Sequence, residues 1–193
     1  MFEAVLKNTT VFKNILDAAK DLISHGPFYF TEKSVCLEAM NQSQVAVALI
    51  KLEAEFFETY RCDCPIILGI NIADLYKIFK CSKPEESCTI KFVAESKFLT
   101  FIFENNKCRQ QEASLNVFQR NYEHLLIPEQ IYSCVIDMPA MEFQKICKDI
   151  ALFSDTIIIN ASFSEVAFKG SGNFATYKIS YVRENKNKYK EDD

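Results

Sequence analysis

Apolar and polar positions change period several times along this chain, and each change marks an element. Residues 3–6 have the pattern of a short strand. Phe12, Ile15, Leu16, Ala19, Leu22 and Ile23 then recur at spacings of three and four, one face of an amphipathic helix. Asn8, Thr9 or Thr10 can cap its start, and His25-Gly26-Pro27 is expected to stop it. Short β-rich runs follow at 28–30, 35–39, 45–52, 57–60 and 66–70, separated by polar residues as in an antiparallel meander. Asn71 is placed to cap a second helix, with Asp74 at its third position and Leu75, Ile78 and Phe79 on its apolar side. After a turn at 82–86, strands are expected at 88–93, 98–103 and 112–117.

Residues 118–131 break the periodicity, carry a proline and read as an interdomain linker. The opening pattern then returns with an offset of 131 residues. Phe12 and Ile15 fall on Phe143 and Ile146, Ala4-Val5 on Val135-Ile136, and Val35-Cys36-Leu37 on Val166-Ala167-Phe168. Such self-similarity predicts two related domains. The second copy is expected to open with a strand at 133–138 and a helix starting at Pro139. Phe143, Ile146, Cys147 and Ile150 form that helix's stripe, and strands follow at 156–160, 166–168 and 174–182. The expected division is a first domain at 1–117, a connector at 118–132, a partial second domain at 133–182 and a tail at 183–193. The tail is dominated by charge and is expected to be a disordered, solvated end. By the repeat, about 65 to 70 residues of the second copy would lie beyond the chain.

Composition narrows the function more by exclusion. A net charge of −4 gives no global attraction to nucleic acid or to an anionic membrane, so any DNA affinity needs a local patch. No apolar run approaches the ~20 residues of a membrane span, and no secretory signal is visible at the N-terminus. The eight cysteines are scattered, apart from the Cys62/Cys64 pair, and lack zinc-ligand spacing, which favours free thiols and no metal. With two histidines, His25 and His124, and four glycines, the chain has no nucleophile elbow, phosphate loop or dinucleotide fingerprint. Neither an enzyme nor a cofactor is expected.

Two features carry positive information. Lys13 and Lys20 lie seven apart on the first helix, and Lys77 with Lys80 and Lys145 with Lys148 are three apart on the other two, always off the apolar stripe. Either these are ordinary solvated lysines, some paired with Asp17 and Asp74, or they form one shared cationic surface suited to phosphate contact without sequence reading. The apolar stretch Leu125-Leu126-Ile127-Pro128, with Met40, Val45 and Val47, marks either partner docking or interdomain packing.

The strings Met1-Phe2-Glu3-Ala4, Lys20-Asp21-Leu22-Ile23, Thr59-Tyr60-Arg61-Cys62-Asp63, Lys77-Ile78, Lys80-Cys81, Ile127-Pro128-Glu129-Gln130 and Tyr132-Ser133-Cys134, continued by Cys147 and Asp149, give the chain its resemblance. From Met1 to about Val182 it resembles the proliferating cell nuclear antigen family of eukaryotic DNA sliding clamps. The resemblance implies an α+β DNA-clamp fold, two similar domains each with two inner helices packed on antiparallel sheets, the second incomplete. It implies a head-to-tail homotrimer around duplex DNA, without enzymatic activity, cofactor or membrane partner, in the nucleus. By position Lys13, Lys20, Lys77, Lys80, Arg109, Lys145 and Lys148 match the family's DNA-facing basic residues. Met40, Gln44, Val45, Val47, Leu126, Ile127, Pro128, Gln130 and Tyr132 match its pocket for docking peptides. The implied partners are double-stranded DNA without sequence preference, DNA polymerases, ligase, flap nuclease and the clamp loader. Strands near 110–117 and 174–181 match the edges that pair between subunits.

The chain departs from the family's pattern at several positions. Val5 and Asn14 stand where close relatives carry basic residues, Gln44 stands for a histidine, and Phe163 occupies the position of the lysine that accepts ubiquitin. Two other readings stay open at this stage: a checkpoint-type clamp subunit, and a truncated, non-encircling adaptor that binds partner peptides.

Overall fold

Period-two alternation builds most of the first half. The computed structural model describes residues 1–105, 110–118, 125 and 131–182, and the chain divides into two units, Met1–Ile127 and Pro128–Asp193. The first unit runs β1 (Phe2–Leu6), α1 (Thr10–Ala19), β2 (His25–Phe30), β3 (Ser34–Met40), β4 (Val47–Glu53), a 3-10 turn at Ala54–Phe56, β5 (Thr59–Cys62), β6 (Ile66–Asn71), α2 (Ile72–Lys80), β7 (Ser87–Phe92), β8 (Phe98–Glu104) and β9 (Gln110–Asn116). Two antiparallel sheets result, one ordered β5-β1-β7-β8-β9 and the other β4-β3-β2-β6. Alternate residues turn inward: Phe2, Ala4 and Leu6 on β1, Leu99, Phe101 and Phe103 on β8, Val35, Leu37 and Ala39 on β3. The core is continuous between the sheets, where the Phe2 ring lies 4.6 Å from that of Phe30.

The expected helices form, with corrected ends. Asn71 caps α2, its side-chain oxygen accepting the Asp74 N–H at 2.9 Å. Thr9 is the N-cap of α1, but its hydroxyl does not cap; Asn8 Oδ1 instead accepts the Thr10 N–H at 2.7 Å. Helix α1 closes at Ala19, so Ile23 is buried from the following turn and Leu22 is left exposed. His25-Gly26-Pro27, expected as a stop, opens strand β2. Pro27 has no N–H to give β3, so the β2–β3 ladder ends at Phe28, while the β2–β6 ladder continues to His25. The strands expected at 45–52 and 57–60 shift to β4 and β5. Asn41 Oδ1 accepts the N–H groups of Val45 and Ala46 and holds them in the hairpin loop.

The second unit holds α3 (Ala140–Ala151), β10 (Ile158–Ala161), β11 (Glu165–Ser171) and β12 (Thr176–Val182), the strands forming one antiparallel sheet in that order. Ile146 and Ile150 of α3 pack with Phe168 of β11 into a small core of their own. One inner helix is present here among the described residues, not two. The strand expected at 133–138 is not formed. Its counterpart β1 is held by ladders to β5 and β7, and the positions that the repeat assigns to those two strands fall outside the described residues. Val135 and Ile136 stay exposed accordingly. The tail expected at 183–193 lies outside the described residues.

Candidate functional site

Helices α1 and α2 lie antiparallel. The Thr9 hydroxyl, at the start of α1, donates to the Lys83 carbonyl beyond the end of α2 at 3.1 Å, and the Ile72 N–H that opens α2 donates to the Ser24 carbonyl at 3.0 Å. Apolar stripes of both helices, Phe12-Leu16-Ala19 and Ile72-Leu75-Phe79, face the sheets and are buried. Thr9, Ser82 and Glu86 are buried polar residues that fix the junction: Ser82 Oγ donates to Phe79 O at 2.7 Å, and Glu86 Oε2 accepts the Lys83 N–H at 2.9 Å. Each polar group has its partner, so the two helices are seated without an unsatisfied buried atom.

The lysines come off the opposite side, but in different electrostatic states. Lys77 is exposed and pairs with Asp74 at 2.8 Å, one turn earlier. Lys20 lies between two carboxylates, 3.0 Å from Asp17 Oδ1 and 2.9 Å from Asp21 Oδ2, with its ammonium 5.0 Å from the centre of the Tyr76 ring. Hydrogen bonds to Asp21 and then Asp17 raise its pKa. Lys20, and after it Tyr76, lowers the Asp17 carboxyl from its ordinary value. Lys13 and Lys80 have no carboxylate at ion-pair distance among the described residues. In the second unit, Lys145 and Lys148 are exposed on α3, flanking the buried Ile146, and are likewise uncompensated among the described residues. Lys77, Lys80 and Lys148 each stand in the last turn of a helix, where the C-terminal dipole favours a cation. Arg109 lies outside the described residues.

Sequence reasoning weighed pairing of the helix lysines with Asp17 and Asp74, and both pairs form. It missed Asp21 and Tyr76. Tyr76 sits off the α2 stripe, and the signal for it was an aromatic on the polar side of a helix.

A second candidate surface lies on the β3–β4 hairpin. Met40 and Val47 are cross-strand partners, and Leu49 follows on the same face of β4. Val45 projects from the hairpin loop at 81% exposure, beside Gln44, whose φ of 57° puts it in the left-handed region. The four apolar residues are exposed at this end of the hairpin. Leu49 was not singled out from the sequence, although alternation from Val47 points to it. Leu126, Ile127, Pro128 and Gln130 lie outside the described residues; Tyr132, in the second unit, is exposed.

Among the described residues no group of three or more histidine, cysteine or carboxylate side chains is arranged to hold a metal ion, and the described cysteines are free. Burial pushes the Cys62 and Cys88 thiols up, away from the thiolate that nucleophilic chemistry requires.

Comparison with known proteins agrees with this layout. Residues 1–124 match the family described as proliferating cell nuclear antigen, N-terminal domain, and residues 126–193 match its C-terminal domain. The proliferating cell nuclear antigen of Caenorhabditis elegans is 38% identical over 183 residues, covering 94% of this chain and 70% of the relative.

Proposed function

The chain belongs to the proliferating cell nuclear antigen family of sliding clamps and replication processivity factors, and from that premise we propose that it encircles duplex DNA and serves as a docking platform for replication and repair proteins. The observation that carries the reading is the antiparallel pair α1/α2. It buries one face in the core and turns Lys13, Lys20, Lys77 and Lys80 to the other, and α3 repeats the arrangement with Lys145 and Lys148. Arg109 joins this set by its position in the sequence. Lysines without companion base-reading side chains attract phosphate irrespective of sequence. Weak contact of that kind suits a protein that is retained by enclosure and has to move along its track.

Ring closure is proposed to occur head to tail in a homotrimer. Strand β9 is an edge of the five-stranded sheet and β12 an edge of the three-stranded sheet. Both are seven residues long with mostly exposed side chains, and antiparallel joining of such edges between subunits would remove unpaired backbone from solvent. Residues 118–132 are proposed as the interdomain connector. The patch of Met40, Val45 and Val47, with Gln44, Leu126, Ile127, Pro128, Gln130 and Tyr132, is proposed to receive short docking peptides of polymerases, ligase, flap nuclease and clamp loader, in the nucleus. The fold provides scaffolding and topology in place of catalysis.

Loading onto a nicked circular plasmid by a clamp loader tests the proposal. The expected outcome is retention through gel filtration and rapid loss once the plasmid is linearised. Equal retention on linear and circular DNA would refute enclosure, and light scattering of the free protein checks the trimer.

A further inference from the structure

The last pair of the β2–β6 ladder, His25 and Asn71, joins a titratable ring to a helix cap. Asn71 is the N-cap of α2, and its amide is already committed, since Oδ1 accepts the Asp74 N–H at 2.9 Å. That leaves Nδ2, a donor, facing the His25 ring, whose Nε2 lies 3.2 Å away. These two atoms share a hydrogen bond only if Nε2 accepts, hence only in a neutral imidazole with its proton on Nδ1. The cap sets the orientation of the amide, and the amide sets the tautomer. The ring is exposed, so protons in solution reach it.

We propose that His25 is a pH-sensitive latch on the start of α2. Neutral, its ring accepts from Asn71 and holds the capping amide in place. Protonated, it turns an N–H toward the Asn71 amide group. Either the ring then swings into solvent, or the amide turns over and gives up the Asp74 N–H. The new charge also stands beside the N-terminal end of a helix, where the dipole disfavours a cation. Nearby carboxylates offer little relief. On α2, Asp74 is held by Lys77 at 2.8 Å. On α1 and in the turn after it, Asp17 and Asp21 are held by Lys20 at 3.0 and 2.9 Å. On β3, Glu38 pairs across the sheet with Leu49, and β6 carries no charged residue. The latch is therefore closed at neutral pH and opens as pH falls through the range of about 8 to 5 in which histidine takes up its proton. One pin of the junction does not titrate: the N–H of the buried Ile72 donates to the Ser24 carbonyl at 3.0 Å. Opening thus loosens the first turn of α2 and leaves the helix seated.

NMR and urea unfolding of the full chain between about pH 7.5 and 5.5 test this, in a window that leaves ordinary carboxylates ionised. The Asp74 amide resonance is expected to titrate in step with the His25 ring. In His25→Gln, whose side-chain oxygen accepts from Asn71 at either pH, it should stay in place. At the acid end, exchange of the Asp74 amide in the parent should run about two- to tenfold faster than in His25→Gln, the range that loss of one modest hydrogen bond implies. The unfolding midpoint should fall further in the parent than in His25→Gln; His124 is present in both, so its titration cancels. Asn71→Asp reverses the sign, because its carboxylate still caps and gives a protonated His25 an ion-pair partner. Its midpoint should rise with acid relative to the double variant Asn71→Asp with His25→Gln. An Asp74 amide that does not follow the ring, parallel pH profiles of the parent and His25→Gln, or an Asn71→Asp midpoint that falls as the parent's does would each overturn the latch.

Discussion

The ring of Phe12 on α1 packs on that of Phe79 on α2, with centroids 4.8 Å apart and planes tilted by 59°. Phe79 also meets Phe101 and Phe103 of β8 edge to face, at 5.5 and 5.4 Å, and is fully buried. It therefore seats both lysine-bearing helices on the five-stranded sheet. Truncating it removes these contacts and leaves a cavity that the surrounding rings cannot fill. Phe79→Ala is expected to destabilise the protein by about 3–5 kcal/mol, seen as a lower midpoint in urea. Phe79→Leu, which keeps most of the volume, should cost clearly less.

The ion pair of Asp17 with Lys20, 3.0 Å long, makes an acid-sensitive contribution. Hydrogen bonds from Lys20 and Tyr76 lower the Asp17 carboxyl from its ordinary value. A group whose pKa is depressed by folding stabilises fully above its unfolded value, near 3.9 for aspartate, and loses that contribution as pH falls through the folded value. Asp17 is half exposed, so solvent screening keeps the effect small. Thermal unfolding of Asp17→Asn should fall below the parent at neutral pH, and the gap should close in acid. A gap that persists unchanged in acid would show that the charge of Asp17 is not its source.

Much of this was legible in the sequence, because the signals were local. The Asn71–Asp74 cap, the stripes of α1, α2 and α3 and the inward alternation of β1, β7 and β8 depend on residues near one another in the chain, and they fold as their spacing dictates. What escaped depends on partners far away. Residues 133–138 have the composition of a strand, yet a strand exists only where ladders reach it. Pro27 looked like punctuation, and only the pairing of β2 with β6 makes it a strand residue. Tyr76 and Lys20 are 56 positions apart in the sequence, so no periodicity could join them. Their meeting follows from how the two helices cross.

The repeat also predicts where a small residue is compulsory. A Cβ added to Gly170 would overlap Ile150 Cγ2 and lie 3.1 Å from Ser154 Cβ, in the only helix–sheet core described for the second unit. The offset of 131 residues places Ala19 and Ala39 at the corresponding positions of the first unit, both buried. One copy thus has alanine at both positions where the other has an isoleucine and a glycine. Gly170→Ala is expected to cost about 1–3 kcal/mol by overpacking. It should speed hydrogen exchange at the amides of residues 146–150. Adding Ile150→Ala should recover part of that loss, and a double variant no better than the sum of the singles would refute the proposed complementarity.

The hairpin patch makes the docking proposal separable from folding. Met40, Val45, Val47 and Leu49 are each at least 39% exposed, so shortening them leaves little cavity and should shift the unfolding midpoint only slightly. A docking peptide that lays an apolar anchor across them would lose its central contact, and such anchors carry a disproportionate share of affinity. Val45→Ala together with Leu49→Ala is expected to weaken binding of a docking peptide at least about tenfold, or about 1.4 kcal/mol, by isothermal titration. The salt slope of DNA binding should not move, because neither residue borders the helices. Peptide affinity unchanged in this variant would remove the hairpin from the docking surface, and a parallel loss of DNA binding would mean that the substitutions act through the fold.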